Sequence, residues 1–559
     1  MNLIGNINAI PFRRFRGGGG VAPIPPFPSI PGMIARYSVL GLTNEQMAEN
    51  PVWVDKTGNG HDLQMKNFAW GGMSGVGGYT ENYDSKKWYK VASRIDATWT
   101  YKSFNVKSIK VNNLAQLFYQ SLSSDTGFRV LSCTIKVSGL TDGQGIEYVS
   151  NGTRPTVIMR IENDGIYHLP SFDFGAKNAY YGFKFLKLQE SCNITIEQLP
   201  LYPGALVFDG VDDCGVCDNF PILTKEKGYT VVVLRQWDQD FLNTTLTGGL
   251  LSTRNYSTGE GVAFEKIESS NKGYWNLGAG GIIDFAKSPF TWQTSKQYNN
   301  VGILKGDKNH GKPLCVGCGL SGGQQCGRFA IWELVFLDHD ATEEELTKIK
   351  DYFVKTYPWL FPDQAWTVAG KTNEDEDRAT IANITGNGNN LVLSNFGFAE
   401  GSGYNEQGEY AGYLVTDGVD DKITSSTFEM GNDWTVIGDW ELINTGKKDN
   451  AGIVKFNSIV IYNYNPILIN IKNGRNNLIP DQNTVNAICS DGRIYSKDWK
   501  ESIYNEETES TSKNLLTIGY SGNSYTKIAF KNLGIYNNQI LSKDDCIKAY
   551  NYLQTLKAK

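Results

Sequence analysis

Histidine and methionine are scarce in this chain, at four and seven among 559 residues. The four histidines (His61, His168, His310 and His339) are scattered, which gives imidazole acid–base catalysis thin support. No run of 18 or more apolar residues occurs, so no membrane insertion is expected. Neither sign of charge dominates. The 53 Lys+Arg against 59 Asp+Glu leave a net charge of −6, without the basic excess that nucleic-acid binding asks for. Phosphate-loop, zincin-helix and Gly-x-Ser-x-Gly signatures are missing. So is a strand of alternating acids that would set a glycosidase acid and nucleophile about 5 Å apart. The consecutive run Glu374-Asp375-Glu376-Asp377 reads as a solvated loop. A non-enzymatic protein is therefore expected, with a polysaccharide depolymerase, or a decoration protein without ligand, as the alternatives. The first basic residues, Arg13 and Arg14, follow the short apolar stretch instead of preceding it, unlike a secretory signal. Nine cysteines cannot all pair within one molecule, which points to synthesis in a reducing cytoplasm.

Apolar residues at 40% are enough for packed cores, and a length of 559 fits three or four domains at about 150 residues each. Glycine (60), Tyr (29), Phe (26) and Trp (13) are abundant, which favours many short strands over helical bundles.

Residues 1–32 read as an arm and linker. Phe12, Arg13, Arg14, Phe15 and Arg16 alternate cation with aromatic, Gly17 to Gly20 follow, and five prolines between Pro23 and Pro31 stiffen what comes next. Two readings stay open: an anchor that inserts Phe and Arg into a partner's groove, or a solvated tail. So short a basic patch is weak ground for nucleic acid.

The chain repeats itself. Thr57-Gly58-Asn59-Gly60 recurs as Thr385-Gly386-Asn387-Gly388, 328 positions on, and Thr43-Asn44-Glu45 recurs as Thr372-Asn373-Glu374. Asp209-Gly210-Val211-Asp212-Asp213 recurs as Asp417-Gly418-Val419-Asp420-Asp421, only 208 positions on. The first copy therefore holds about 120 extra residues between its landmarks, a domain's worth. Gly71 to Tyr79 suits the insertion point. Each copy shows short alternating segments, then a helix opened by Thr342-x-x-Glu345 or Ser542-x-x-Asp545. The expected fold is all-β. It comprises a jelly roll from 33–79 plus 201–357, an inserted β-sandwich at 80–200, and a second jelly roll at 363–559, each jelly roll ending in a short helix.

The run Gly204 to Asp213 resembles the opening strand of concanavalin A-like and laminin-G-like jelly rolls, which commonly pair a Thr-Gly-Asn-Gly-like turn with a Leu-x-Phe-Asp-Gly-x-Asp-Asp segment. The second copy departs slightly, with Val415-Thr416 where the first has Val207-Phe208. That family includes lectins, adhesion modules and hydrolases, so it implies fold more than function. A basic Gly/Pro-rich arm before lectin-like jelly rolls also resembles head fibres and tail appendages of tailed phages infecting gut Bacteroides. That resemblance implies a virion protein made in the host cytoplasm and usually homotrimeric. Its arm would bind capsid or tail proteins, and its partners at the other end would be host glycans.

Candidate site residues follow from chemistry. Sugar rings stack on aromatics, so Tyr79, Tyr83 and Trp88 near the insertion, Trp275 and Trp292 beside a Gly-rich turn, and Tyr462 and Tyr464 are the glycan-binding candidates. Asp209, Asp212 and Asp213, with Asp417, Asp420 and Asp421, offer oxygens to Ca²⁺, the one cofactor candidate. The same residues equally open and cap a tight turn, the preferred reading, because a Ca²⁺ cage needs more carbonyls than the segment guarantees. Cys214-x-x-Cys217 and Cys315-x-x-Cys318, with Cys326 in addition, have zinc-knuckle spacing. They lie 101 residues apart, however, and the second copy has Lys422 and Ser425 at the first pair, so reduced core cysteines are expected.

Overall fold

The computed structural model describes residues 24–558, apart from several turns, the stretches 121–127, 223–228, 242–245, 254–262, 267–271, 276–281, 285–291, 295–312, 444–451, 480–484 and 504–515, and the side chains of strands bordering them. Residues with two-residue periodicity form strands that bury one face. Leu63–Lys66 alternates buried and exposed, and Lys422–Ser425 alternates half-buried and buried. The longest strands, Arg328–Leu337 and Ile528–Asn537, are largely apolar and almost wholly buried, because each is covered on both sides.

The two copies share one strand order. In the first, Arg328–Leu337 lies between Thr230–Trp237 and Leu206–Asp209, Gly75–Val76 continues the sheet, and Met33–Tyr37 pairs with the far end of the long strand. In the second, Ile528–Asn537 lies between Trp434–Leu442 and Tyr413–Val415, Gly403–Asn405 continues, and Gln364–Thr367 takes the place of Met33–Tyr37. Register agrees as well: Val207 faces Gly75 and Ala330, while Val415 faces Gly403 and Ala529. The opposing sheets begin Val52–Trp53, Leu63–Lys66, Cys214–Cys217, Leu314–Val316, Gly248–Ser252 in one copy. In the other they begin Thr380–Ile381, Leu391–Ser394, Lys422–Ser425, Thr517–Ile518, Gly452–Phe456. Each sandwich closes over its own buried core, one around Trp53, Trp237 and Phe336, the other around Trp366, Trp434 and Trp440.

Strands between Trp88 and Gln198 pair only with one another among the described residues. They make two five-stranded antiparallel sheets and a two-stranded ribbon around Phe104, Ile135, Tyr148, Phe183 and Ile196. The connections in and out run side by side. Leu201 N–H donates to Gly78 O (2.9 Å) and Tyr202 N–H to Gly77 O (2.8 Å), which brings the chain back where it left.

The fold also has α-helices α1 (Asn44–Glu49), α2 (Glu343–Thr356) and α3 (Lys543–Gln554), and a 3-10 turn at Pro358–Leu360. Both α2 and α3 start where the caps place them. Thr342 and Glu345 form a reciprocal capping box, and Ser542 Oγ accepts from Asp545 N–H (3.1 Å). Helix α1, also boxed by Thr43 and Gln46, was not expected from the sequence. No described helix is long and apolar enough to cross a membrane. Helices α2 and α3 lie on the sheet faces turned away from the sandwich cores, and their apolar stripes merge into one buried cluster. That cluster joins Trp332, Ile349, Phe353 and Trp359 of the first copy to Ile437, Tyr536, Tyr550 and Leu553 of the second. Tyr536 OH donates to Trp359 O (2.8 Å), and Gln236 Nε2 to Thr555 Oγ1 (2.8 Å), across this junction.

Candidate functional site

The Asp-Gly-Val-Asp-Asp segments are built as corners. Asp213 Oδ2 accepts from Asp209 N–H (2.9 Å), its Oδ1 accepts from Ser74 Oγ (2.9 Å), and Asp209 Oδ1 accepts from Val211 N–H (2.7 Å). The second copy repeats this: Asp421 Oδ2 accepts from Asp417 N–H (2.8 Å), and Asp417 Oδ1 from Val419 N–H (2.7 Å). Gly210 and Gly418 sit at φ +78° and +77°, with Arg328 and Lys527 packed where a Cβ would be. Within each trio the carboxylate oxygens lie within 4.8 Å of one another. Burial pushes Asp213 up to about 8 and Asp421 up to about 6, against the pull of the backbone N–H bonds. The buried member of each trio is already engaged in the turn, Asp213 through both oxygens and Asp421 through Oδ2, which makes it a poor Ca²⁺ ligand.

A second construction surrounds each Thr-Gly-Asn-Gly turn. Asp55 Oδ1 accepts from Arg36 N–H (3.0 Å) and Thr57 N–H (3.0 Å), while Asp55 N–H donates to Asp62 Oδ1 (2.8 Å). In the second copy Asn383 takes the same place. Its Oδ1 accepts from Ala365 N–H (3.3 Å) and Thr385 N–H (3.0 Å), and its N–H donates to Asn390 Oδ1 (3.0 Å). Sequence reading had the turns but not these hubs, although Asp55 and Asn383 sit two residues before each landmark threonine.

Among the described residues, only the first copy adds a charged assembly beside the hub. Arg36 donates through Nε and Nη2 to Glu333 (3.0 Å each) and through Nη2 to Tyr352 OH (2.9 Å). Glu333 is fully buried and also accepts from Tyr357 OH (2.9 Å). Burial pushes the Glu333 carboxyl up, and Arg36 pulls it back down. The guanidinium lies 4.1 Å from the Phe27 ring centroid, and Phe27 meets Tyr352 edge-on at 4.7 Å. Outside this assembly opens a cleft of about 380 Å³, whose lining includes Phe27, Ser29, Lys56, Thr57 and Asn59. It offers an ammonium, hydroxyls, an amide and an aromatic edge, a mixture suited to a polyhydroxylated or acidic ligand. Of these residues, none was among the glycan-binding candidates chosen by aromatic clustering.

The aromatic candidates fare differently. Tyr79 and Tyr83 are buried at 8% and 1% exposure, a correction to their place as sugar platforms. Tyr79 packs edge-on against Tyr101 and Tyr83 against Phe104, so both rings serve the junction with the inserted sandwich and its core. Trp88, Trp275, Trp292 and Tyr462 fall on strands, but their side chains lie outside the described residues, as do Tyr464 and the whole of Phe12, Arg13, Arg14, Phe15 and Arg16. The expectation of wholly reduced cysteines fails at one pair, because Cys318 and Cys326 are disulfide-bonded.

No family model and no curated protein matches this chain. Solved structures similar to it include the botulinum neurotoxin serotype D binding domain (9% identity, 60% of this chain and 88% of that one, TM-score 0.25). The serotype D ligand-binding domain in complex with N-acetylneuraminic acid gives the same figures. Trypanosoma rangeli sialidase in complex with sialic acid is 7% identical over 84% of this chain and 85% of that one, with TM-score 0.25. Likeness at that score carries no argument, and the tandem β-sandwich architecture rests on the strand pairing itself.

Proposed function

We propose that this chain is a non-enzymatic phage virion protein, a head fibre or tail appendage, that displays two lectin-like sandwiches from an N-terminal arm. The supporting observation is the seat of the arm's root. Ile30 is buried in the cluster that unites both sandwiches, and Phe27 is held between Arg36 and Tyr352. A pull on the segment before residue 24 would therefore load the joined body directly. In this reading Phe12, Arg13, Arg14, Phe15 and Arg16 bind capsid or tail protein, and the polar cleft beside Lys56 and Asn59 takes a host-surface glycan. A homotrimer would turn weak sugar contacts into avidity. No cofactor is invoked.

The decisive experiment removes residues 1–23, which leaves Phe27 and Ile30 in place, and measures incorporation of the protein into particles. Loss of incorporation with an unchanged melting temperature is expected. Unchanged incorporation would refute the anchor. A glycan array run with wild type and Lys56→Ala tests the display role, and reducing-end release from host capsule would instead establish a depolymerase.

A further inference from the structure

Four cysteines of the first sandwich meet on one face of its second sheet. Cys214, Cys315, Cys318 and Cys326 form a buried cluster with Val216, separate from the sandwich core to which Cys217 belongs. Strand alternation explains the split. Cys214 and Val216 point to one side of Cys214–Cys217 and Cys217 to the other, while Cys315 lies opposite Val216. The zinc-knuckle pairing of Cys214 with Cys217 is therefore not available.

The second sandwich serves as an internal comparison. At matching register it carries Lys422 for Cys214 and Thr517 for Cys315, and the facing pair Cys318 and Cys326 becomes Tyr520 and Tyr525. All four sulfurs are replaced at once, so the scaffold does not need them. Cys318 and Cys326 are already bonded, and Cys214 and Cys315 sit diagonally across two paired strands, on the same face and within the same buried sulfur cluster.

We propose that Cys214 and Cys315 are a second oxidisable pair, closing to a disulfide beside Cys318–Cys326 when the protein meets a small-molecule disulfide such as oxidised glutathione. Cys315 and the nearby charge of Lys66 bring Cys214 down to about 7 against its burial, so when local opening uncovers the cluster Cys214 is the thiolate that attacks first. It displaces one glutathione thiolate and forms a mixed disulfide. Cys315 then gives up its proton and attacks the Cys214 sulfur, displacing the second glutathione. Two cysteine thiols lose two electrons, and one glutathione disulfide becomes two glutathione thiols that carry the two protons. The new bond ties together the ends of 218–314, which contributes six strands between Thr230 and Thr294. A zinc ion on the same cluster would need thiolates from Cys318 and Cys326, which their bond removes.

The test uses the full chain, purified under reducing conditions and then incubated with oxidised glutathione. Free thiols are alkylated, and linked peptides and bound zinc are measured. A Cys214–Cys315 peptide alongside Cys318–Cys326 is expected, as is a rise in melting temperature on oxidation that is smaller in C214S/C315S. The mapping scores this one bond; Cys489 and Cys546 of the second sandwich do not enter it. Cys214 and Cys315 alkylated while Cys318–Cys326 is linked would overturn the proposal, and so would one zinc per chain with all four thiols reduced. Should C214S/C315S fail to fold, the wild-type mapping decides alone.

Discussion

Asn44 and Asn373, 329 positions apart, make the same two-way clamp. Asn44 Oδ1 accepts from Val76 N–H (2.6 Å) and its Nδ2 donates to Val76 O (3.1 Å). Asn373 Oδ1 accepts from Tyr404 N–H (2.8 Å) and its Nδ2 donates to Tyr404 O (2.9 Å). Each asparagine closes both backbone groups of one residue on a sheet-edge strand, and Gly75 and Gly403 leave room for the amide to approach. Substituting alanine orphans both groups. Asn44→Ala, at a site 2% exposed, is expected to cost about 2–3 kcal/mol, and the less buried Asn373→Ala about 1–2 kcal/mol. Urea unfolding of the two variants measures the order, and equal or negligible losses would contradict the clamp.

Arg36 joins the arm's root to the first sandwich, so its loss should be felt twice. Arg36→Leu leaves Glu333 buried without its cation, an expected cost of about 3–5 kcal/mol. It also takes the guanidinium from under Phe27, so limited proteolysis should cut faster within residues 24–31 than in wild type. Normal protection of that segment alongside reduced stability would show that Tyr352 alone holds Phe27.

Much of this organisation was legible in the sequence because it is local. Turn chemistry at Thr57–Gly60 and Asp209–Asp213, two-residue alternation and the helix caps at Thr342 and Ser542 all act over a few residues, and their recurrence exposed the duplication. The functional surface was less legible. Tyr79 and Tyr83 looked like sugar platforms because nothing local distinguishes an exposed ring from one covered by Tyr101 or Phe104. Arg36 and Glu333 are 297 residues apart, and the partner of each helix stripe lies on the other sandwich, so neither has a sequence signature. The four converging cysteines were visible as residues but not as a cluster, since strand alternation parts Cys217 from Cys214 while only sheet register brings Cys315 to the same face.

The Asp corners are expected to behave as turns and not as Ca²⁺ sites. Both Asp213 oxygens are engaged, and its folded-state value of about 8 stands above its ordinary 3.8. A carboxyl raised in this way contributes stability fully present below its unfolded value and lost as pH rises toward 8. Asp213→Asn should therefore flatten the stability profile between those limits, and millimolar Ca²⁺ should leave the wild-type melting temperature unchanged. A rise in melting temperature with Ca²⁺ that Asp212→Asn and Asp420→Asn abolish would instead establish a cation at the corners.

Low pH should loosen the inserted sandwich from the second jelly roll through His168. Its Nδ1 lies 3.2 Å from Thr134 Oγ1, its ring packs edge-on to Tyr550 of α3 at 6.1 Å, and Asn551 and Gln554 line the same small void. Burial holds the imidazole well below its usual 6.5, and Lys531 and Lys497 push the same way. The folded form is therefore neutral while the unfolded chain takes up a proton near pH 6.5, so stability present above that pH is lost as pH falls below it. The limiting slope for one such group is about 1.4 kcal/mol per pH unit. His168→Leu should remove that slope while leaving the profile above pH 7 parallel to wild type. Hydrogen exchange at pH 5 should show the first extra opening in Gly165–Leu169 and in α3. A wild-type profile flat from pH 7 to 5, or opening that starts in the first jelly roll, would mean the seam does not sense protons.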